Sequence, residues 1–131
     1  MMVRAALAAL LLAVPATAQT PMTAEEFESY VTGKTLTYAE DGVVYGIEEY
    51  LPGRRVRWAF RGGECRDGIW FEQAERICFV YQDNPVPQCW TFFDGPNGLL
   101  ARFENAEGRR EVYEAEQTDE PLVCPGPEVG V

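Results

Sequence analysis

The side chains that could do chemistry are of few kinds in this 131-residue chain, which has 21 acidic and 11 basic residues, four cysteines and no histidine. Without histidine, the sequence excludes Ser–His and Cys–His catalysis and His-ligated zinc sites. The single serine, Ser29, has no histidine to act as its base, and no glycine-rich nucleotide-binding motif occurs. We therefore expect a protein that is not an enzyme and that holds no cofactor or metal ion.

Adjacent carboxylates are the remaining candidates for general acid–base chemistry. The close pairs are Glu25–Glu26, Glu48–Glu49 and Glu111–Glu114. Neighbouring residues on a strand point to opposite faces, so Glu48 and Glu49 cannot share one site. We expect Glu48 on the outer face and Glu49 pointing inward, where it either serves a function or lies at a wet rim, which is the simpler interpretation.

Four arginines lie within eight residues, from Arg54 to Arg61, in an otherwise acidic chain. Arg55, Arg57 and Arg61 have the spacing of one strand face, and together they form a candidate site for an anion or for a partner's carboxylate. The alternative, which we favour, is a solvated face neutralised by Glu48 and its neighbours.

The four cysteines favour two disulfides in an oxidising compartment, because they form no C-x-x-C pair of the redox or zinc-binding type. Three pairings are possible. A turn centred near residues 83 and 84 would place Cys78 directly opposite Cys89, at a separation that suits a disulfide. Cys65 would then pair with Cys124 and hold the proline-rich tail against the domain.

The first 18 residues have the three parts of a signal peptide. Arg4 is the positive charge, residues 5–14 form an apolar stretch, and Ala16-Thr17-Ala18 is an A-x-A cleavage site. The apolar stretch is too short to span a bilayer, which takes about 20 residues. We therefore expect cleavage after Ala18, export to the periplasm, and a single domain over residues 19–131.

One helix precedes the strands that must position these side chains. Thr23 and Glu26 form a capping box, and Gly33 is a typical C-terminal stop. Between them, Ala24, Phe27, Tyr30 and Val31 share one helical face. The pattern predicts a short amphipathic helix over residues 23–32, which needs a surface to pack on.

From residue 34 to residue 115 the hydrophobic period changes to two, and turn residues separate eight short segments. The predicted strands are 34–39, 43–51, 54–61, 68–72, 76–81, 88–93, 99–104 and 109–115. Consecutive hairpins of this kind predict an all-β protein, an antiparallel meander closed into a small barrel or half-barrel. The helix would plug one end or cover an open side, and residues 116–131 would form an irregular tail.

Two hairpins predict which side chains face inward. A turn at Pro52-Gly53 pairs Tyr45 with Phe60 and Ile47 with Trp58 on the inner face. The same register pairs Glu48 with Arg57 on the outer face. In the last hairpin Arg102 pairs with Glu111, but Arg110 falls beside Phe103, which the pattern does not explain.

Five aromatic side chains on alternating positions could either fill the barrel or line a cavity within it. They are Trp58, Trp70, Phe79, Trp90 and Phe92. Strands of only about six residues enclose a narrow interior, so we expect these side chains to fill it.

The central segment resembles a group of small exported β proteins of Gram-negative bacteria. The resemblance covers about residues 34–115 and is carried by Cys65, Gly68-Ile69-Trp70, Cys78-Phe79-Val80-Tyr81 and Cys89. It implies a fold and an exported location and brings no catalytic residues. The chain is more loosely similar to periplasmic lysozyme inhibitors, although their inhibitory loop motif is absent.

The net charge of −10 argues against nucleic-acid binding, which needs a basic face. An acidic exported domain instead suits a basic protein or peptide partner, because complementary charge speeds and selects encounters. We therefore expect a non-enzymatic binding module, for which inhibition of a lysozyme is one concrete form. The alternative is a lipocalin-like carrier of a small apolar ligand in the barrel mouth.

Overall fold

The computed structural model describes residues 12–13, 19–105, 108 and 110–124 of the chain. The proposed cleavage site and nearly all of the proposed signal peptide lie outside the described residues, as does the tail from residue 125 onward. Within the described part, no helix combines the length and the apolar character that a membrane crossing requires.

In the part of the chain that the structure describes, eight antiparallel strands form a closed barrel, and one helix precedes them. The elements are α1 (Ala24–Val31), β1 (Thr35–Glu40), β2 (Val43–Leu51), β3 (Arg55–Phe60), β4 (Arg66–Gln73), β5 (Arg76–Tyr81), β6 (Asn84–Gly95), β7 (Gly98–Phe103) and β8 (Glu111–Thr118). Each strand pairs with its neighbours in sequence, and β8 closes on β1. The all-β prediction is confirmed, and of its two forms the full barrel is correct.

The helix forms where the capping signals predict it. The Thr23 hydroxyl accepts a hydrogen bond from the Glu26 amide at 3.1 Å, and Gly33 follows the helix with a φ of 85°. Hydrogen bonds anchor both flanks to the barrel, from the Met22 amide to the Phe92 carbonyl and from the Gly33 amide to the Tyr50 carbonyl. The helix therefore plugs one end of the barrel, which we call the helix end.

The core fills only the half of the barrel next to the helix. Phe27 is fully buried, and its ring packs edge-on against Trp70 and Tyr50 and obliquely against Phe92, with centroids 4.3 to 5.7 Å apart. A large aromatic residue can provide such a plug because it buries much apolar area on one short helix. At the opposite end, which we call the open end, no helix of the described residues lies over the strands.

The turn between β2 and β3 shifts the predicted pairing by one residue. The loop comprises Pro52, Gly53 and Arg54 instead of two residues, and Arg54 adopts a left-handed φ of 57°. The Arg54 side chain bonds to Glu28 of the helix and lies over the Trp70 ring. These contacts favour the longer loop, and the one-residue shift moves the side chains from Ile47 to Leu51 to the other face.

The shift reverses the predicted positions of Glu48, Glu49 and Ile47. Glu48 pairs with Trp58 and is buried inside the barrel, whereas Glu49 pairs with Arg57 on the outer face. The predicted pairing of Glu48 with Arg57 is therefore wrong, as is the inward position of Glu49. Ile47 pairs with Ala59 and lies on the outer face as well.

Several strand boundaries also differ from the prediction, most of all the start of β6 and the end of β8. Strand β6 begins at Asn84, so it includes the prolines of a segment predicted to be a loop, and β8 continues to Thr118. Prolines cannot donate to a ladder, and the pairing of β5 with β6 shifts register between Phe79 and Tyr81, close to Pro85 and Pro87. The shift lets the extended backbone continue past residues that usually interrupt a strand.

Both predicted disulfides are present. Cys78 of β5 lies opposite Cys89 of β6, as the hairpin register requires, and Cys65 bonds to Cys124. After β8, the chain turns back along the outside of the barrel, where the Glu120 carbonyl accepts from Thr35 and the Leu122 amide donates to Glu49. The second disulfide therefore secures this returning segment near the open end.

Candidate functional site

A cavity of about 290 Å³ occupies the open end of the barrel. It is lined by Tyr38, Tyr45, Glu48, Tyr50, Trp58, Phe60, Phe79, Tyr81, Gln88, Trp90, Phe92, Ala101, Phe103, Arg110 and Val112. The predicted filled interior is therefore wrong for this half of the barrel. Four of the five aromatic side chains named for it line the cavity, and only Trp70 packs away from it beneath the helix.

A close approach between Gly46 and Trp58 keeps the cavity open. A Cβ at Gly46 would come within 2.3 Å of the Trp58 indole, which occupies that space against the wall of β2. A larger residue at this position would force the indole toward the lumen. Next to it, a bulge in the pairing of β1 with β2 directs Tyr45 to the cavity as well.

Glu48 is the buried ionisable group of the cavity wall, with 2% of its surface exposed. Its Oε1 accepts a hydrogen bond of 3.0 Å from the Tyr81 hydroxyl, while the buried Oε2 has no partner among the described residues. Burial raises the pKa of the Glu48 carboxyl well above its usual range, and the Tyr81 hydrogen bond only partly opposes this effect. The interior thus favours a protonated, neutral Glu48.

Three buried tyrosine hydroxyls are further polar groups of the cavity wall. Tyr38 and Tyr50 share a hydrogen bond of 2.8 Å, and Tyr81 donates to Glu48. Burial is the main reason that the pKa of each of these phenols lies well above its usual value. They therefore remain neutral, and Glu48 is the acidic group of the cavity wall that can carry a negative charge.

The rim of the cavity has a cation of its own. Arg110 lies over the Tyr45 ring at 5.4 Å and forms an ion pair of 3.2 Å with Glu40. This geometry explains its place beside Phe103, since both side chains line the mouth. Phe60, which is 43% exposed, extends the aromatic wall to the surface.

The structure places the three arginines of the candidate anion site outside the barrel. Arg57 donates to Asp67 at 2.7 Å, and Arg55 donates to the Pro52 carbonyl. Arg61 is exposed and lies beyond the end of β3. An acid thus neutralises Arg57, but this acid is Asp67 and not Glu48. The binding of an anion or of a partner at these arginines stays a prediction.

Glu114, the other buried acid near the core, is held in place by hydrogen bonds to the surrounding fold. It accepts hydrogen bonds from Tyr30 of the helix at 2.7 Å, from the Leu99 amide and from Gln117. Partial burial and the bond to Glu114 raise the pKa of Tyr30 to about 12. The carboxylate therefore links the helix to β7 and β8 and is not available to the cavity.

The described residues include no group of three or more acidic or cysteine side chains arranged to hold a metal ion. The chain matches no family model, no curated protein and no solved structure. The likeness to small exported proteins and to lysozyme inhibitors therefore stays a prediction. The two disulfides themselves indicate an oxidising compartment, such as the periplasm or the extracellular space.

Proposed function

We propose that this protein binds a small, largely apolar molecule in the cavity at the open end of its barrel. The observation that carries the proposal is the cavity itself, which has aromatic walls and few polar groups. Concave sites with this composition are the usual form of small-molecule sites. The lipocalin-like alternative of the sequence analysis thereby becomes the leading hypothesis.

The size of the cavity limits the ligand. A volume of about 290 Å³ is at the lower end of known ligand sites. At the packing density of a protein interior, it accommodates a molecule of roughly ten to fifteen non-hydrogen atoms. A single aromatic or short aliphatic body fits this volume, whereas a long acyl chain does not.

The proposed setting is the periplasm, and the proposed role is binding or carriage without catalysis. The N-terminal segment has the pattern of a cleavable signal peptide, and the two disulfides suit an exported protein. The chain offers no nucleophile with a histidine base. A binding protein is consistent with all three features.

The basic protein partner is retained as a second candidate because of the charge of the outer surface. The net charge is −10, and the arginines of β3 make local contacts that lower their availability. Such an interaction would depend on long-range attraction, and it would weaken steeply with salt. A pull-down of hen lysozyme at low and high salt measures it, and no capture at low salt would contradict this candidate.

A cavity-filling variant tests the leading proposal. Ala101 lines the cavity and is fully buried, so Ala101→Phe should occupy the ligand space. Tryptophan fluorescence follows the binding of 2-phenylethanol and 2-phenylethylamine, because Trp58 and Trp90 line the cavity. We expect saturable binding of at least one probe to the wild type and a loss of about tenfold or more in the variant.

The matched control is Ile69→Phe, which adds the same ring on the outer face of β4, where Ile69 is 48% exposed. This control should bind as the wild type does. Val112→Phe serves as a second cavity-filling variant if Ala101→Phe does not fold. Unchanged affinity in the folded cavity variants, or no saturable binding of either probe to the wild type, would contradict the proposal.

A further inference from the structure

Glu48 is a buried carboxyl group for which the fold supplies only half of the expected hydrogen bonds. Oε1 accepts from Tyr81, but Oε2 is buried without a partner among the described residues. A buried polar atom without a partner is costly, and native proteins retain few of them. Because Glu48 lines the cavity, a ligand that binds there can supply the missing partner.

Among the residues that the structure describes, no cation pairs with this carboxyl group. Within the described residues, none of the ion pairs includes Glu48, and the rim cation Arg110 is paired with Glu40. Among the described residues, the side chains that lie near it in the cavity wall are neutral, namely Tyr38 of β1, Tyr50 of β2, Trp58 of β3 and Tyr81 of β5. Glu114 of β8 is committed to Tyr30, Leu99 and Gln117.

The surrounding rings favour a positive charge in the same place. Tyrosine and tryptophan side chains line the cavity around Glu48, and the negative faces of such rings attract cations. The acidic protein as a whole also draws cations toward its surface. A ligand with a carboxylate at this end would instead meet both the overall negative charge and Glu48.

We propose that the ligand is a small amine, bound as its ammonium ion with Glu48 as the counter-ion and with its apolar or aromatic body against the cavity walls. This inference rests on the proposed function, and it adds the chemical class of the ligand. The ammonium donates to Glu48, and the aromatic rings contact the rest of the molecule. Neutral apolar molecules also fit the space, but they leave Oε2 without a partner.

Binding of the ammonium ion has a defined proton balance. Below its native pKa, the carboxyl group of the empty cavity is neutral, so it must release its proton to solvent to form the ion pair. A neutral amine that enters the cavity and takes the same proton gives the identical complex. Between about pH 5 and the native pKa of Glu48, the affinity for the ammonium ion should therefore increase with pH. An uncharged ligand should show no such dependence.

Two probes of equal size separate charge recognition from apolar binding. 2-Phenylethylamine and 2-phenylethanol differ in one terminal group, and both fit a cavity of about 290 Å³. We expect the wild type at about pH 8 to bind the amine at least about tenfold more tightly than the alcohol. Calorimetry in two buffers of different ionisation enthalpy, at a pH below the native pKa of Glu48, should register the release of a proton with the amine only.

The variant Glu48→Gln removes the charge and preserves the shape and the bond from Tyr81. It should lose the preference for the amine, about tenfold or more, while its affinity for 2-phenylethanol changes by less than about threefold. Glu49→Gln, the next residue on the outer face of the same strand, is the matched control and should bind both probes as the wild type does.

The outcomes separate this inference from the proposed function. If both probes bind equally well and Glu48→Gln changes neither affinity, the amine assignment is wrong and the cavity remains a binding site. If neither probe binds to the wild type, the proposed function fails together with it. A preference for the amine that Glu48→Gln retains would also overturn the role of Glu48.

Discussion

The interpretation of the cavity depends on Glu48. The sequence alone does not show that this residue, and not Glu49, points inward. Glu48 and Glu49 are adjacent, so either of two neighbouring registers brings one of them opposite Arg57. The cross-strand charge pair thus gives equal support to the correct and the shifted register. The choice between them depends on the length of the turn, and Arg54 extends that turn through its contacts with Glu28 and Trp70.

The burial of Glu48 predicts an unusual dependence of stability on pH. Its native pKa lies above the unfolded value of about 4.5, so the native state holds a proton that the unfolded chain releases. The resulting stabilisation is complete below about pH 4.5 and is lost as the pH rises toward the native pKa. Glu48→Gln has no proton to lose, so its free energy of unfolding lacks this decline.

Urea denaturation between about pH 5 and about pH 8 measures this prediction. As the pH rises, the free energy of unfolding of Glu48→Gln should increase relative to that of the wild type, by at most about 1.4 kcal/mol per pH unit. Glu49→Gln, on the outer face, should follow the wild type. Parallel curves for Glu48→Gln and the wild type would show that Glu48 ionises as readily in the folded protein as in the unfolded chain.

At the scale of elements, the helix determines where the barrel is filled and where it stays empty. Phe27 contributes the ring that meets Trp70, Tyr50 and Phe92, and the helix lies at one end only. Phe27→Ala should therefore cost about 3–5 kcal/mol of stability, through lost burial and the void that remains. Ser29→Ala, at an exposed position of the same helix, should change stability by less than about 0.5 kcal/mol. Equal losses of stability in Phe27→Ala and Ser29→Ala, measured by thermal or urea unfolding, would contradict the role of Phe27 as the plug of the barrel.

The sequence predicts the elements well and the cavity poorly, for a physical reason. Caps, turn residues and a period of two are local signals, so the helix, the eight strands and the Cys78–Cys89 register could be predicted. Whether rings fill a barrel or line it depends on contacts between strands that are distant in sequence. The approach of the Trp58 indole to Gly46 is one such contact, and a glycine within a strand pattern is its faint local signal.

For the whole molecule, the two disulfides should account for much of the stability. They close loops with sequence separations of 11 and 59 residues, which correspond to about 3 and about 4 kcal/mol in the chain-entropy description. A domain of this size has a total of about 5–15 kcal/mol. We therefore expect reductant to unfold the protein or to lower its melting temperature sharply.

Peptide mapping without reductant checks the connectivity on which this expectation depends. The oxidised protein should yield a Cys78–Cys89 peptide and a Cys65–Cys124 peptide. The melting temperature should fall in both paired-alanine variants, Cys78→Ala with Cys89→Ala and Cys65→Ala with Cys124→Ala. A peptide that joins Cys65 to Cys78 or to Cys89, or a melting curve unaffected by reductant, would contradict the fold described here.

The central claim, that a small molecule occupies the open end of the barrel, can be tested through the three tryptophans. Trp58 and Trp90 line the cavity, whereas Trp70 packs beneath Phe27 at the helix end. In an NMR titration with 2-phenylethylamine, with the indole N–H signals assigned by Trp→Phe variants, we predict saturable shifts for Trp58 and Trp90 and an almost unchanged Trp70. A largest shift at Trp70, or no shift at any indole, would contradict the claim.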